Sequence, residues 1–190
     1  AATLAETPDR GSRPAATAVS SDQDLLVHYA VPGNPYSISV EAPGRVWFTM
    51  PEQNLIGRLV VTSTADYEVV TYTVPTANGY PYDLVYASGA VWFTEQEGNK
   101  IGRLDASLGT FDEFIIPTPS STPTGIDALP GMPTHVWFTE RSGDRLGHLV
   151  YTSTVSAVLL EHPVPADYGG IGAELEDVSA LSTSVVWLTA

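Results

Sequence analysis

Short runs of alternating large apolar and polar residues fill the chain, and Gly, Pro, Asn or Ser closes each run. Between residues 82 and 116 four such runs follow one another: 82–86, 90–95, 100–104 and 111–116. Each is four to six residues long and rich in β-branched and aromatic side chains, which predicts strands and leaves no room for helices. Ser88-Gly89 and Gly98-Asn99 supply the turns, where positive φ is tolerated. Pro117 and Pro119 then break the ladder and carry the chain onward.

This unit recurs. Val-Trp-Phe-Thr stands at Val46-Trp47-Phe48-Thr49, Val91-Trp92-Phe93-Thr94 and Val136-Trp137-Phe138-Thr139, and a fainter copy, Val186-Trp187-Leu188-Thr189, follows. Third strands repeat as Ile56-Gly57-Arg58-Leu59, Ile101-Gly102-Arg103-Leu104 and Leu146-Gly147-His148-Leu149. Fourth strands end at Val31-Pro32, Val74-Pro75, Ile116-Pro117 and Val164-Pro165. A strand-rich period of about 45 residues predicts an all-β fold, a β-propeller of four-stranded blades. The Trp of each second strand is expected to pack between blades, and the Gly of each third strand to let a ring approach. The chain covers about four blades, a partial ring: a flexible Ala/Thr/Pro/Ser-rich arm or linker over 1–24, then repeats near 25–75, 76–117, 118–165 and 166–190. The stretch 25–32 reads as a fourth strand without a blade of its own, and 185–190 as a second strand with no third. An open arc leaves edges to cover, so a protein partner or the remainder of a longer chain is expected to complete the propeller.

Charge narrows the partners. Twenty-two acidic residues against eight basic ones give a net charge of −14, which argues against nucleic acid, since phosphate binding needs a basic patch. No apolar run approaches the length of a transmembrane helix. Cysteine is absent, which removes disulfides, thiolate metal sites and cysteine nucleophiles. Few Lys, many Ser, Thr, Tyr and Pro, and a first segment that reads as a mature terminus suit a secreted, periplasmic or cell-surface bacterial protein.

The phrases Val91-Trp92-Phe93-Thr94-Glu95, Asn99-Lys100-Ile101-Gly102-Arg103-Leu104, Phe111-Asp112-Glu113-Phe114, Pro117-Thr118-Pro119 and Pro123-Thr124-Gly125-Ile126 together resemble the streptogramin lyase (virginiamycin B lyase) family of seven-bladed propellers. The resemblance covers the chain from Leu25 onward. It implies a magnesium-dependent elimination that opens a cyclic depsipeptide lactone, with catalytic histidines on an inner-strand phrase Pro-His-Ala-Ile or Pro-His-Gly-Ile and nearby acids holding the metal. The matching positions here are Pro35-Tyr36-Ser37-Ile38, Pro81-Tyr82-Asp83-Leu84 and Pro123-Thr124-Gly125-Ile126, and none carries His.

Candidate chemistry therefore falls to other residues. Tyr36, Tyr82, Asp83, Asp127, Glu176 and Asp177 lie on or beside predicted inner strands and are candidates for a ligand-binding channel mouth. Glu95 and Glu140 follow the second-strand Thr; their oxygens suit Mg or Ca. The plain alternatives are a solvated acidic rim and tyrosines that bury a ring and keep a wet hydroxyl. Arg58 and Arg103 are expected to pair with carboxylates such as Glu95 or Asp105. His28, His135, His148 and His162 stand at no metal-ligand spacing, and a framework or exposed role is expected of each. The leading reading is a binding or scaffold module without a catalytic site. A Mg-dependent lyase of the streptogramin type is the enzymatic alternative, and a structural subunit of a surface assembly is the third.

Overall fold

A computed structural model describes residues 3–4, 17–21, 24–63, 66–153, 156–165, 174–183 and 185–189. Three whole four-stranded antiparallel sheets follow one another. The first holds β4 (Ile38–Ala42), β5 (Arg45–Met50), β6 (Leu55–Ser63) and β7 (Asp66–Thr73). The second holds β8 (Pro81–Ala87), β9 (Ala90–Glu95), β10 (Lys100–Asp105) and β11 (Thr110–Ile115). The third holds β12 (Pro123–Ala128), β13 (His135–Glu140), β14 (Arg145–Ser153) and β15 (Ser156–Pro163). Two half-sheets flank them: β2 (Thr17–Ser21) with β3 (Asp24–His28), and β16 (Asp177–Ser182) with β17 (Val185–Thr189). The segment expected to be an arm thus contains β2, and also β1 (Thr3–Leu4), which lies on the outer edge of β11. Residues 166–173, inside the fourth repeat, lie outside the described residues.

Inner strands β4, β8, β12 and β16 stand side by side in that order. The result is an arc of a β-propeller. Two features of the sequence dictate how the blades pack. On one face of each second strand the Trp enters the junction with the following blade. Trp47 joins Ile56 and Tyr72 to Leu84, Val91 and Phe93; Trp92 joins Ile101 to Ile126, Val136 and Phe138; Trp137 packs with Val178 and Ala180. On the other face the Phe ring lies across the third-strand Gly: Phe48 pairs with Gly57, Phe93 with Gly102 and Phe138 with Gly147. A Cβ on these glycines would stand 2.0–2.2 Å from the Phe Cζ, so the position admits no side chain.

The residue opposite each Trp finishes the face. Arg58 lies 5.1 Å over Trp47 and donates to Glu41 through Nε (3.0 Å) and a terminal nitrogen (2.8 Å), while Trp47 Nε1 donates to the same carboxylate at 2.9 Å. Arg103 lies over Trp92 and pairs with Asp112 at 3.2 Å and Asp105 at 3.7 Å. The expected partner Asp105 is therefore found, and Glu95 is not one. In the third blade His148 stacks on Trp137 at 3.9 Å and 7°.

Candidate functional site at the inner-strand mouth

The mouth is shaped by a bulge. Pairing of β8 with β9 shifts between Pro81 and Leu84, and pairing of β12 with β13 shifts between Pro123 and Ile126. A bulge leaves an amide outside the ladder, and the second-strand Thr takes it. Thr49 Oγ1 accepts from Ser37 N (3.0 Å), Thr94 Oγ1 from Asp83 N (3.1 Å) and Thr139 Oγ1 from Gly125 N (2.9 Å). The same hydroxyls reach forward. Thr49 donates to the Tyr82 carbonyl at 3.0 Å and Thr94 to the Thr124 carbonyl at 2.8 Å. In the third blade a relay does this work: Thr139 and Thr124 share a 2.9 Å bond, and Thr124 donates to the Leu175 carbonyl at 2.8 Å. All three second-strand threonines are fully buried. The motif marks them only by a hydroxyl at an otherwise apolar buried position, three times over.

The inner-strand acids serve the same junctions. Asp83 accepts from the Ser37 hydroxyl (2.5 Å), its neighbour Leu84 N (2.8 Å) and, across the junction, Ile126 N (2.9 Å). Burial raises its pKa, against the hydrogen bonds that favour the charge. Asp127 accepts from Ala128 N and, across the next junction, Ala180 N at 2.9 Å. Asp177 accepts from Val178 N. Three of the six candidate mouth residues thus hold backbone amides.

The other three lie together at the mouth. The rings of Tyr36 and Tyr82 meet at 4.5 Å and their hydroxyls are hydrogen-bonded. Tyr36 is 61% exposed. The bond to Tyr36, then burial, raises the Tyr82 pKa, and Glu176 and Arg141 both act on it electrostatically. Arg141 bridges Glu174 (2.9 Å) and Glu176 (3.2 Å). Arg141 and Glu174 were not legible as site residues, because no motif marks them. The mouth therefore offers an aromatic pair beside a guanidinium held between two carboxylates.

Glu95 and Glu140 occupy a different place. Both are fully buried; the Thr76 hydroxyl lies near Glu95 and the Ser121 hydroxyl near Glu140, and neither makes a well-formed hydrogen bond to the carboxylate. Glu95 Oε2 is wedged against Gly79 and Gly98, where added Cβ atoms would approach to 2.8 and 2.7 Å. Nearby Thr76 gives its hydroxyl to Glu113 (2.8 Å), which also takes Lys100 Nζ (2.8 Å). Burial, then the Glu113 charge, pushes Glu95 up to about 7; burial, then Glu161, pushes Glu140 up to about 7. Each carboxyl sits under the turns of its own blade. Among the described residues no group of three or more acids or histidines is arranged to hold an ion.

The histidines lie away from the mouth. None stands on β4, β8, β12 or β16. His135 and His148, which sequence gave no reason to join, share a 3.0 Å ring-nitrogen contact, and His162 lies 5.9 Å from Trp137. Burial, then His135 and His162, pushes His148 down to about 4.

Residues 23–170 match the virginiamycin B lyase family. The chain belongs to the virginiamycin B lyase family. It is similar to a catalytically inactive histidine-to-alanine variant of virginiamycin B lyase from Staphylococcus aureus, solved with quinupristin. Identity is 31%, the TM-score is 0.72, and the match covers 88% of this chain and 54% of that one. A streptogramin B lyase structure matches at 31% identity and a TM-score of 0.70, over 84% of this chain and 49% of that one. A putative 6-phosphogluconolactonase from Bacteroides uniformis shares the fold, at 17% identity and a TM-score of 0.60 over 82% of this chain and 49% of that one. No curated protein matches the chain. The chain spans about half the length of the two lyase structures.

Proposed function

We propose that this arc is a binding module that takes an aromatic or cyclic-peptide ligand at its inner-strand mouth, and that it does not itself carry out a lyase reaction. The paired rings of Tyr36 and Tyr82 beside Arg141 carry this reading. The tilted ring pair contributes apolar contact area beside its two bonded hydroxyls, and Arg141 offers directed donors to a ligand carbonyl or carboxylate. The acids that chemistry would need are engaged elsewhere: Asp83 and Asp127 hold amides across blade junctions. The inactive relative lacks one histidine, and among the described residues no inner strand carries a histidine. Its composition suits a site of action outside the cytoplasm.

Quinupristin is the first ligand to test. Titration calorimetry is expected to show saturable binding that Tyr82→Ala weakens about tenfold, the loss of roughly one ring contact. Mass spectrometry of the same mixture with magnesium is expected to return intact ligand. A ring-opened product that disappears with chelator would overturn the reading and establish a lyase; no binding by the wild type would overturn it in favour of a purely structural role.

A further inference from the structure

Two histidines of the third blade meet where the first blade places two arginines. The register fixes the equivalence. Arg45 and His135 each stand one residue before the Val of the second-strand motif, and Arg58 and His148 each pair with its Trp. In the first blade both guanidinium groups reach one carboxylate. Glu41 takes Arg58 at 2.8 Å, Arg45 at 3.5 Å and also Trp47 Nε1 at 2.9 Å. These two positions therefore converge on a single point beside the Trp.

The third blade keeps the convergence and drops the anion. Val40 pairs with Val46 and Ala128 with Val136, so the residue after Ala128, Leu129, holds the place of Glu41. Leu129 is buried with Trp137, Val178 and Ala180. With no carboxylate there, His135 Nδ1 and His148 Nε2 face each other at 3.0 Å. The buried Trp137 Nε1 has no acceptor among the described residues. Two neutral imidazoles can share one hydrogen bond between such nitrogens. The same two nitrogens can instead both give their lone pairs to one metal ion.

We infer that His135 and His148 form a two-imidazole site for a divalent copper ion, with water filling its other positions. Metal–nitrogen bonds of about 2.0–2.1 Å and a nitrogen separation of 3.0 Å subtend roughly a right angle at the ion. That angle suits adjacent corners of a tetragonal Cu(II) or Ni(II) site better than a tetrahedral zinc site, and copper stands highest in affinity among the first-row divalent ions. The His148 ring is a neutral ligand at pH 7, because burial, then His135 and His162, pushes it down to about 4. Its stack on Trp137, at 3.9 Å and 7°, orients the imidazole without using its nitrogens. A metal-bound water would give Trp137 Nε1 an oxygen to donate to. Both ligands belong to one blade, thirteen residues apart on β13 and β14. In the whole junction between the first and second blades the equivalent side chains of Arg45 and Arg58 remain 53% and 22% exposed. A covered junction thus leaves these two positions within reach of an ion.

Trp137 supplies the readout. Cu(II) is titrated into the full chain in a non-coordinating buffer while tryptophan emission is followed. A paramagnetic ion on His148 lies against one of the four tryptophans. The expected result is a partial quench that saturates at one ion per chain and that Trp137→Phe largely removes. The spin-resonance spectrum of the bound copper should show coupling to two nitrogens. His135→Ala and His148→Phe are each expected to weaken binding about a hundredfold, the loss of two-point attachment. His162→Ala, whose ring lies 5.9 Å from Trp137 in the wild type, should bind as the wild type does. A quench that never saturates, a one-nitrogen spectrum, wild-type affinity in His135→Ala or His148→Phe, or binding lost in His162→Ala would each overturn the proposal.

Discussion

The ring of Phe93 covers Gly102 so closely that a β-carbon there would stand 2.1 Å from its Cζ. Gly102→Ala forces the ring or the ladder to move. Overpacking of a well-filled core costs about 1–3 kcal/mol, and with no flexible side-chain end to yield, the upper part of that range is expected. Urea unfolding checks it, and Phe93→Leu added to Gly102→Ala should recover part of the loss. Equal midpoints for wild type and Gly102→Ala would show that the ring is not fixed.

Thr94 joins two blades with one hydroxyl, accepting from Asp83 N and donating to the Thr124 carbonyl. Thr94→Val keeps the shape and removes both bonds, leaving two backbone groups without a partner. An unsatisfied buried group costs about 1–3 kcal/mol. Thr94→Ser, which keeps the hydroxyl, should lose less than Thr94→Val in thermal denaturation; the reverse order would deny the junction role.

Stability should depend on pH in two opposed ways. Glu95 and Glu140 have folded pKa values raised to about 7. From about 4.5 upward the unfolded chain releases these protons before the folded one does, so stability falls as pH rises through 7. The loss is roughly a few kcal/mol per group at most. His148, lowered to about 4, acts in the other sense: below about 6.5 the unfolded chain takes up a proton first, so stability falls as pH drops toward 4. In urea titrations over pH 4–8, Glu95→Gln should make stability fall less between about 4.5 and 7, and His148→Phe should make it fall less as pH drops from about 6.5 to 4. Unchanged slopes would mean that water reaches these groups.

The blades were legible because their cause is local. The Trp, Phe and Thr positions and the third-strand Gly fix strand, face and ring contact within one repeat. β2 was not legible, because Thr17-Ala18-Val19-Ser20-Ser21 has no large apolar residue and the Gly that marks other third strands is absent. Asp83 and Asp127 read as channel carboxylates because sequence shows a charge on an inner strand and not the amide it meets on the next blade. Glu95 and Glu140 read as metal ligands for a related reason: the glycine turns that enclose Glu95 come from positions 79 and 98, on either side of its strand. Arg141 joined the mouth through contacts more than thirty residues away.

The junction hydroxyls all reach in one direction: Thr49 holds the second blade, Thr94 the third, and the Thr139–Thr124 pair the segment before β16. Each blade is thus latched by its predecessor, and among the described residues no such latch reaches β4. Amide hydrogen exchange should report that polarity: loss of the Thr49 hydroxyl loosens β8 and loss of the Thr94 hydroxyl loosens β12, while the blade that carries the hydroxyl stays closed. Strain in one blade therefore travels down the arc and not back up it.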